Sequence, residues 1–211
     1  MIKLQLDPTK EYGIVLEGGG AKGAYQVGAW AALLEAGIKI KGIAGTSVGA
    51  LNGALMCMDD LREAEKLWDN ISWSQVMDID DTLIEQWKAR DFSSLSLHEL
   101  LAEGKRILKD RGLDITPLKQ LIERTIDEDK IFQSDKEFFV STISLSDRKP
   151  LIVNMKEVAE GEMKDMLLAS AYLPGFKRER LGGKLYADGG GANNVPVDVL
   201  ADRGYKDIIV I

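Results

Sequence analysis

The stretch from residue 12 to residue 49 reads YGIVLEGGGAKGAYQVGAWAALLEAGIKIKGIAGTSVG. It opens on the apolar run Tyr12–Leu16, passes a glycine cluster into a segment of helical composition at 23–36, and returns to an apolar run at Ile38–Ala44. A tight turn at Gly45–Gly49 then leads into a second apolar, helical segment. Strands that alternate with helices in this way predict an α/β fold built on a parallel sheet.

The rest of the chain continues this alternation around a charged, helix-rich segment at about 60–130, which we interpret as a helical insertion. Beyond it, the apolar pattern predicts two strands, a helix, a short strand, a helix that opens with Pro196 and a last strand, at 137–145, 150–154, 162–171, 184–187, 196–202 and 207–211. We expect one domain over 1–211. Because the chain stops on an apolar run, we also expect the natural protein to continue past Ile211.

Composition excludes several classes of function. The chain has 27 Lys and Arg against 34 Asp and Glu, a net charge of −7, whereas nucleic-acid binders carry basic surfaces. A single cysteine, Cys57, and a single histidine, His98, exclude an intrachain disulfide and a metal site made of several imidazoles. Neither a signal peptide nor an apolar run of membrane-spanning length is present, so we expect a cytoplasmic protein without metal or cofactor.

The turn Gly45-Thr46-Ser47-Val48-Gly49 fits the pattern G-x-S-x-G. A nucleophilic serine has to stand exposed on a tight strand-to-helix turn, and flanking glycines let the neighbouring backbone approach it. The N-terminus of the following helix favours negative charge that develops there. Ser47 is therefore a candidate nucleophile, and the alternative is an ordinary Gly-Ser turn that caps a helix.

Four glycines, Gly18, Gly19, Gly20 and Gly23, follow the first predicted strand. Their spacing matches a dinucleotide fingerprint, but the second strand does not end in the acidic residue that would hold a ribose. A P-loop is excluded because the lysine of the cluster is followed by glycine. Two interpretations stay open: an oxyanion hole of bare backbone N–H groups beside Ser47, or close packing of helix on strand.

A serine nucleophile needs a base at neutral pH. His98 lies inside the predicted insertion and away from the strand ends, so a packing or surface role is the simpler interpretation. Asp188, in the sequence Asp188-Gly189-Gly190, can replace it, because a carboxylate accepts the serine proton directly and needs no third group to orient it. The alternative for this Asp-Gly pair is a plain turn.

Taken together, these segments resemble the patatin-like phospholipase family. The resemblance rests on GGGAKG at 18–23, GTSVG at 45–49, ASAYLPGF at 169–176 and DGGGANNVP at 188–196, which occur in the order and spacing of the family. It covers about residues 12–211 and implies a three-layer α/β/α sandwich with a mostly parallel central sheet. It also implies a lipid acyl hydrolase with a Ser-Asp dyad.

By position, the resemblance makes Ser47 the nucleophile and Asp188 the base. The loop of Gly18, Gly19 and Gly20 would supply oxyanion donors, with the N–H of Val48 as a further one. The remaining glycines of the motifs would support this site: Gly23, Gly45, Gly49, Gly189 and Gly190.

The function expected is a serine esterase that hydrolyses acyl esters of phospholipids, lysophospholipids or related lipids through an acyl-enzyme. One alternative is an acyltransferase with the same dyad, and another is a non-enzymatic module that binds nucleotide or lipid. The expected partner is a lipid or fatty-acyl ester, with transient contact to a membrane surface, in a cytoplasmic or peripheral monomer that binds no nucleic acid.

Several other residues allow two interpretations. The apolar residues of the insertion predict either a lid that meets lipid or simple packing onto the scaffold: Trp68, Trp73, Met77, Ile79, Leu83, Ile84 and Trp87. Lys22 is either solvated or positioned to steer a phosphate headgroup. Asn193 and Asn194 either orient the Asp188 loop or are turn residues, and Glu17 has no assigned role.

Overall fold

The structure, a computed structural model, describes residues 6–82 and 112–211. Six strands form a single sheet in the described ranges, and their bounds are β1 Glu11–Leu16, β2 Lys39–Thr46, β3 Glu137–Ser144, β4 Lys149–Asn154, β5 Tyr186–Asp188 and β6 Ile208–Val210. The described helices are α1 Gly23–Glu35, α2 Val48–Cys57, α3 Leu61–Asn70, α4 Thr116–Thr125, α5 Glu128–Gln133, α6 Met163–Ser170 and α7 Val197–Ala201. Short 3₁₀ turns occupy Gly20–Lys22, Trp73–Gln75 and Gly189–Gly191.

The strand order is β4-β3-β2-β1-β6, with β5 paired to β3. Strands β1, β2, β3 and β6 run parallel, whereas β4 and β5 run antiparallel to β3. Leu16 pairs with Gly45, so β1 and β2 end at the same edge of the sheet, where parallel α/β proteins place their ligands. The predicted mostly parallel sheet is confirmed.

Alternate residues of each strand point to opposite faces of the sheet, and helices pack on both faces. Ile14, Ile43 and Phe138 belong to the large core beneath α1 and α2. On the other face, Val15 and Phe139 pack against the short helix α7. Helices on both sides of a central sheet make the predicted α/β/α sandwich, and this prediction is confirmed.

Several predicted element boundaries differ from the structure by one or two residues, and three of them lie near the site. Helix α2 starts at Val48, two residues before the predicted apolar segment, because the turn at Ser47 takes a single residue. Strand β5 ends on Asp188 instead of before it, since Asp188 still pairs with Thr142. Pro196 caps α7 and is not its first helical residue.

Helices α3 and α4 are the described parts of the predicted insertion, whose assignment as a unit stays a prediction. The expectations for Leu83, Ile84, Trp87 and His98 fall on residues outside the described ranges. Among the residues that the structure does describe, no helix is both long and apolar enough to cross a membrane.

Candidate active site

Strand β2 ends at a sharp turn in which Ser47 adopts φ 56° and ψ −124°, a left-handed backbone that a residue with a side chain rarely takes. A methyl group on Gly45 would overlap the carbonyl of Gly49, and one on Gly49 would overlap the carbonyl of Leu16. The two glycines therefore let helix α2 leave the strand end at close range. This geometry presents the side chain of Ser47 at the carboxyl edge of the sheet.

Helix α2 begins directly after Ser47. Within the described chain, the N–H group of Val48 has no hydrogen-bond acceptor, as expected of the first turn of a helix. The partial positive charge of the helix N-terminus lies in the same place. The turn thus offers both a hydroxyl and a free donor to an incoming group.

The sheet itself brings Asp188 to Ser47. Strand β4 covers one edge of β3, and the other edge pairs first with β2, up to Thr46 opposite Ser141, and then with β5, from Thr142 opposite Asp188. Asp188 therefore follows directly beyond the end of β2, where Ser47 stands. The two residues are 141 positions apart in sequence and adjacent along one strand edge.

One oxygen of the Asp188 carboxylate is hydrogen-bonded and the other is not. Its Oδ1 accepts the N–H of Gly190 at 2.7 Å, and its backbone N–H donates to the carbonyl of Tyr172 at 2.9 Å. Its Oδ2 is buried and has no hydrogen-bond partner among the described residues, and the described hydrogen bonds include none between Asp188 and Ser47. A buried oxygen without a partner is unusual and is found at catalytic sites, whose hydrogen bonds tighten when substrate binds.

The segment 169–176 contributes a buried hydroxyl that the sequence did not single out. Ser170 accepts the backbone N–H of Ser47 at 2.8 Å and donates to the carbonyl of Ser141 at 2.7 Å. Its only sequence signal is a serine among small residues at a helix end. The structure thus joins this segment to the nucleophile turn.

The glycine loop packs against the same turn. A methyl group added to Gly18 would lie 3.2 Å from Cβ of Ser47. The N–H of Gly18 donates to the carbonyl of Asn194 at 3.2 Å, and Nδ2 of Asn194 donates back to the carbonyl of Gly18 at 3.1 Å. In the described ranges the N–H groups of Gly19 and Gly20 have no acceptor. The N–H of Gly18 is thus engaged, whereas those of Gly19 and Gly20 are left available. The donor role expected of the three glycines stays a prediction.

The two asparagines after Asp188 have different roles. Asn194 ties the Asp188 loop to the glycine loop through the pair of bonds just described. Asn193 donates from its side chain to Asp198, and its carbonyl accepts the hydroxyl of Thr46 at 2.8 Å. Both residues therefore connect the loop to its surroundings and are more than turn residues.

Lys22 pairs with Glu17 across the glycine loop, with 2.9 Å between Nζ and Oε1. Its side chain is 67% exposed, so the pair adds little stability. The ion pair gives Glu17, to which the sequence assigned no role, a partner on the surface of the loop.

Gly23 makes room for an aromatic ring. A methyl group there would overlap the indole of Trp68 and approach the side chain of Val48. The indole Nε1 of Trp68 donates to Oδ1 of Asn52 at 2.9 Å. Trp68 is thus packed and hydrogen-bonded, which supports the packing interpretation for this tryptophan.

An apolar groove of about 330 Å³ opens beside Ser47. Its walls come from the ends of α2 and α3, the following 3₁₀ turn, α4 and the segment after α6. The lining residues are Gly20, Ala21, Ser47, Val48, Leu51, Asn52, Leu67, Trp68, Ile71, Ser72, Trp73, Val76, Met77, Leu118, Leu121, Ala171, Leu173 and Phe176. Trp73 and Leu173 are 37% and 42% exposed, so they lie where the groove meets solvent.

Tyr172 lies next to the groove residue Ala171 and shapes the chain that follows. Its hydroxyl donates to the carbonyl of Lys177 at 2.5 Å and accepts the N–H of Glu179 at 2.7 Å. Burial raises the pKa of this phenol above its ordinary value. Tyr172 therefore stays neutral at physiological pH, and its two hydrogen bonds hold the segment after Gly175 in place.

A serine on a strained strand-to-helix turn, beside a carboxylate and an apolar groove, is an arrangement that occurs in α/β proteins with a serine nucleophile. The family model for Patatin-like phospholipase matches residues 14–201. The chain belongs to this family, as its sequence predicted.

Relatives among well-described proteins match almost the whole chain. The neuropathy target esterase sws of Drosophila melanogaster is 27% identical over 206 residues, which are 94% of this chain and 12% of that protein. Patatin-like phospholipase domain-containing protein 7 of Rattus norvegicus is 29% identical over 208 residues, 94% of this chain and 13% of that protein. The chain thus spans about an eighth of the length of these relatives.

A shorter match is more similar: the lysophospholipase nte1 of Aspergillus terreus is 58% identical over 50 residues, 24% of this chain and 3% of that protein. Among solved structures, VipD from Legionella pneumophila superposes with a TM-score of 0.60 at 15% identity. The match covers 94% of this chain and 49% of VipD. At this identity the likeness supports the fold.

Proposed function

We propose that this chain is a serine esterase that hydrolyses acyl esters of phospholipids, lysophospholipids or related lipids with Ser47 and Asp188. One observation carries the proposal. The buried Oδ2 of Asp188 has no partner in the described ranges, and Asp188 directly follows the strand end at which the strained turn presents Ser47. A carboxylate oxygen kept from water and from other donors beside a hydroxyl is suited to accept its proton.

The reaction follows from these positions. Asp188 takes the proton of Ser47 while Oγ attacks the ester carbonyl. The N–H groups of Gly19, Gly20 and Val48 donate to the oxyanion of the tetrahedral intermediate. When the intermediate collapses, the ester bond breaks, the leaving alcohol takes the proton from Asp188, and an acyl-Ser47 ester is left. Water then attacks this ester while Asp188 accepts one of its protons. The bond between the acyl carbon and Oγ breaks, Oγ takes that proton back from Asp188, and the free acid and Ser47 are released.

The groove supports a lipid as substrate. It begins at Ser47 and is lined almost entirely by apolar side chains, which favour an acyl chain over a polar group. Two of the relatives are an esterase and a lysophospholipase by name, which agrees with a lipid acyl hydrolase. Trp73 and Leu173, exposed where the groove opens, are the residues that we propose meet a lipid surface.

Labelling with a fluorophosphonate tests the proposal. The wild type is expected to label, and Ser47→Ala and Asp188→Asn to label at least about a thousandfold more slowly. Asparagine at position 188 keeps an oxygen for the N–H of Gly190 and removes only the basic charge. A folded wild type that does not label, with or without detergent micelles, would refute the proposal.

His98→Ala separates a dyad from a triad. We expect its turnover of a fatty-acyl ester to stay within a few-fold of wild type, because Asp188 takes the serine proton directly. A loss of about a thousandfold would mean that the only imidazole of the chain is the base.

A further inference from the structure

A chain of hydrogen bonds between side chains runs from the groove to the glycine loop. The indole N–H of Trp68 donates to Oδ1 of Asn52 at 2.9 Å. Nδ2 of Asn52 donates to Oε1 of Gln26 at 2.9 Å and to the carbonyl of Gly23 at 3.0 Å. Nε2 of Gln26 donates to the carbonyl of Glu17 at 2.8 Å and, over 3.3 Å, to that of Ile211. The bonds link α3, α2 and α1 to the residue before Gly18.

The donors and acceptors of this hydrogen-bond network are fixed by Trp68, which lies at the end next to the groove. An indole N–H can only donate, so the amide oxygen of Asn52 has to face Trp68 and its nitrogen has to face Gln26. The amide nitrogen of Gln26 then has to face the carbonyl of Glu17. Gln26 and Asn52 are 1% and 3% exposed, so water does not compete for these bonds. A buried network whose members are all paired holds its segments in one arrangement.

The network connects the helix that follows Ser47 to the glycine loop, and catalysis needs these two parts of the site in a fixed relative position. Asn52 lies on α2, the helix that begins directly after Ser47. Glu17 directly precedes the loop with the free N–H groups of Gly19 and Gly20. The loop is also held by the bonds of Gly18 with Asn194, by backbone bonds from Glu17 to Ile211 and from Lys22 to Gly19, and by the exposed ion pair between Lys22 and Glu17.

We propose that Gln26, Asn52 and Trp68 form a positioning network that holds the oxyanion donors of the glycine loop in place relative to Ser47. The inference rests on the proposed function. Gln26 does not line the groove, so its substitution removes no side chain from the acyl site. The network acts on the transition state, because the oxyanion forms only after Ser47 has attacked.

Gln26→Met tests the network, since methionine has a similar volume and no amide. Its kcat on a short-chain ester is expected to fall about ten- to a hundredfold, with KM within about twofold of wild type. The inhibition constant of a trifluoromethyl ketone should rise by the same factor, because its adduct with Ser47 carries the same oxyanion. Val27→Ala, on the same helix and also buried, is the matched control and should lose stability with kcat unchanged.

Trp68→Phe removes the outermost donor and keeps an aromatic ring over Gly23, and it is the test if Gln26→Met does not fold. Because Trp68 also lines the groove, its kcat and inhibition constant count for the network only if KM stays within about twofold of wild type. The two substitutions should be clearly non-additive in kcat, because either one interrupts the same network. Variants with kcat and inhibition constant within twofold of wild type, or additive losses, overturn the inference and leave the proposed function intact. A wild type that neither labels nor hydrolyses esters removes the proposed function and the inference together.

Discussion

The hydroxyl of Ser170 accepts a hydrogen bond from the backbone N–H of Ser47 at 2.8 Å and donates one to the carbonyl of Ser141 at 2.7 Å. Ser170 is the last residue of α6, and Ser141 lies on β3 opposite the last residue of β2. The hydroxyl thus bridges the strand and the strained turn. It holds the amide of Ser47 in a backbone conformation that is unfavourable in isolation.

Ser170→Ala should therefore reduce catalysis as well as stability. Loss of the hydroxyl leaves the buried N–H of Ser47 without its acceptor, which costs about 1–3 kcal/mol. We expect kcat/KM to fall about tenfold or more, because the position of Ser47 is then less well defined. The measurement is ester hydrolysis together with a urea midpoint.

Ser144→Ala is the matched control for this prediction. Ser144 is equally buried, but its hydroxyl donates to Asp147 and touches neither Ser47 nor Asp188. Its loss of stability should be similar, with kcat/KM close to wild type. If both variants lose activity equally, Ser170 has no special role at the site.

The sequence was sufficient for the parts of the site that depend on backbone constraints. Gly45 and Gly49 were predicted to admit close backbone approach, and the structure shows that a methyl group on either one would overlap a carbonyl. The alternation of apolar runs predicted the parallel strands. The glycine loop and Ser47 lie together where β1 and β2 end, at the carboxyl edge of the sheet. Local pattern is informative here because each of these features needs a particular residue at a particular spacing.

The residues that support the site could not be predicted in this way. Gln26 stands on α1, whose Tyr25 and Glu35 are exposed, and Asn52 stands on α2, which is otherwise apolar. Only the packing of three helices buries the two amides and pairs them. Gly18 satisfies the loop motif, yet its N–H is engaged by Asn194, 176 positions away in sequence. Which backbone N–H groups of the glycine loop stay free depends on such long-range contacts. A local sequence pattern carries no information about them.

Ser47→Gly should stabilise the fold relative to Ser47→Ala. The φ of 56° at this position is strained for alanine and open to glycine. Such strain costs about 1–3 kcal/mol, of which the greater freedom of glycine in the unfolded chain offsets a part. We expect a difference of about 1 kcal/mol in urea unfolding, with both variants inactive. If Ser47→Ala is equally stable, the turn is not strained.

Asp165→Asn should change the pH dependence of stability. Burial raises the pKa of Asp165 above its ordinary value, and the nearby carboxylates of Glu123 and Glu162 act in the same direction against Lys119. The folded state therefore holds this proton more tightly than the unfolded state, and wild type loses stability as the pH rises above about 3.9. Asparagine stays neutral, so the variant should be more stable at pH 7.

The stability difference between Asp165→Asn and wild type should shrink toward zero as the pH falls to about 4, where the unfolded aspartate begins to be protonated. Urea midpoints of both proteins from pH 4 to pH 7 give this difference directly, and the other acidic groups titrate in both proteins. A difference that does not vary with pH would show that Asp165 is not destabilised by its ionisation.

Gly28→Ala and Gly49→Ala should have opposite effects, although both glycines lie in helices. Alanine is favoured over glycine in a helix by about 0.5–1 kcal/mol. At Gly28 on α1 a methyl group meets nothing within 4 Å, so the full gain in stability is expected.

At Gly49 the methyl group would overlap the carbonyls of Leu16 and Glu17, which are backbone and cannot swing aside. Gly49→Ala should therefore lose about 2–3 kcal/mol or more. Urea midpoints of the two variants measure both effects, and a stable, active Gly49→Ala would mean that α2 can move away from the strand end without loss of the site.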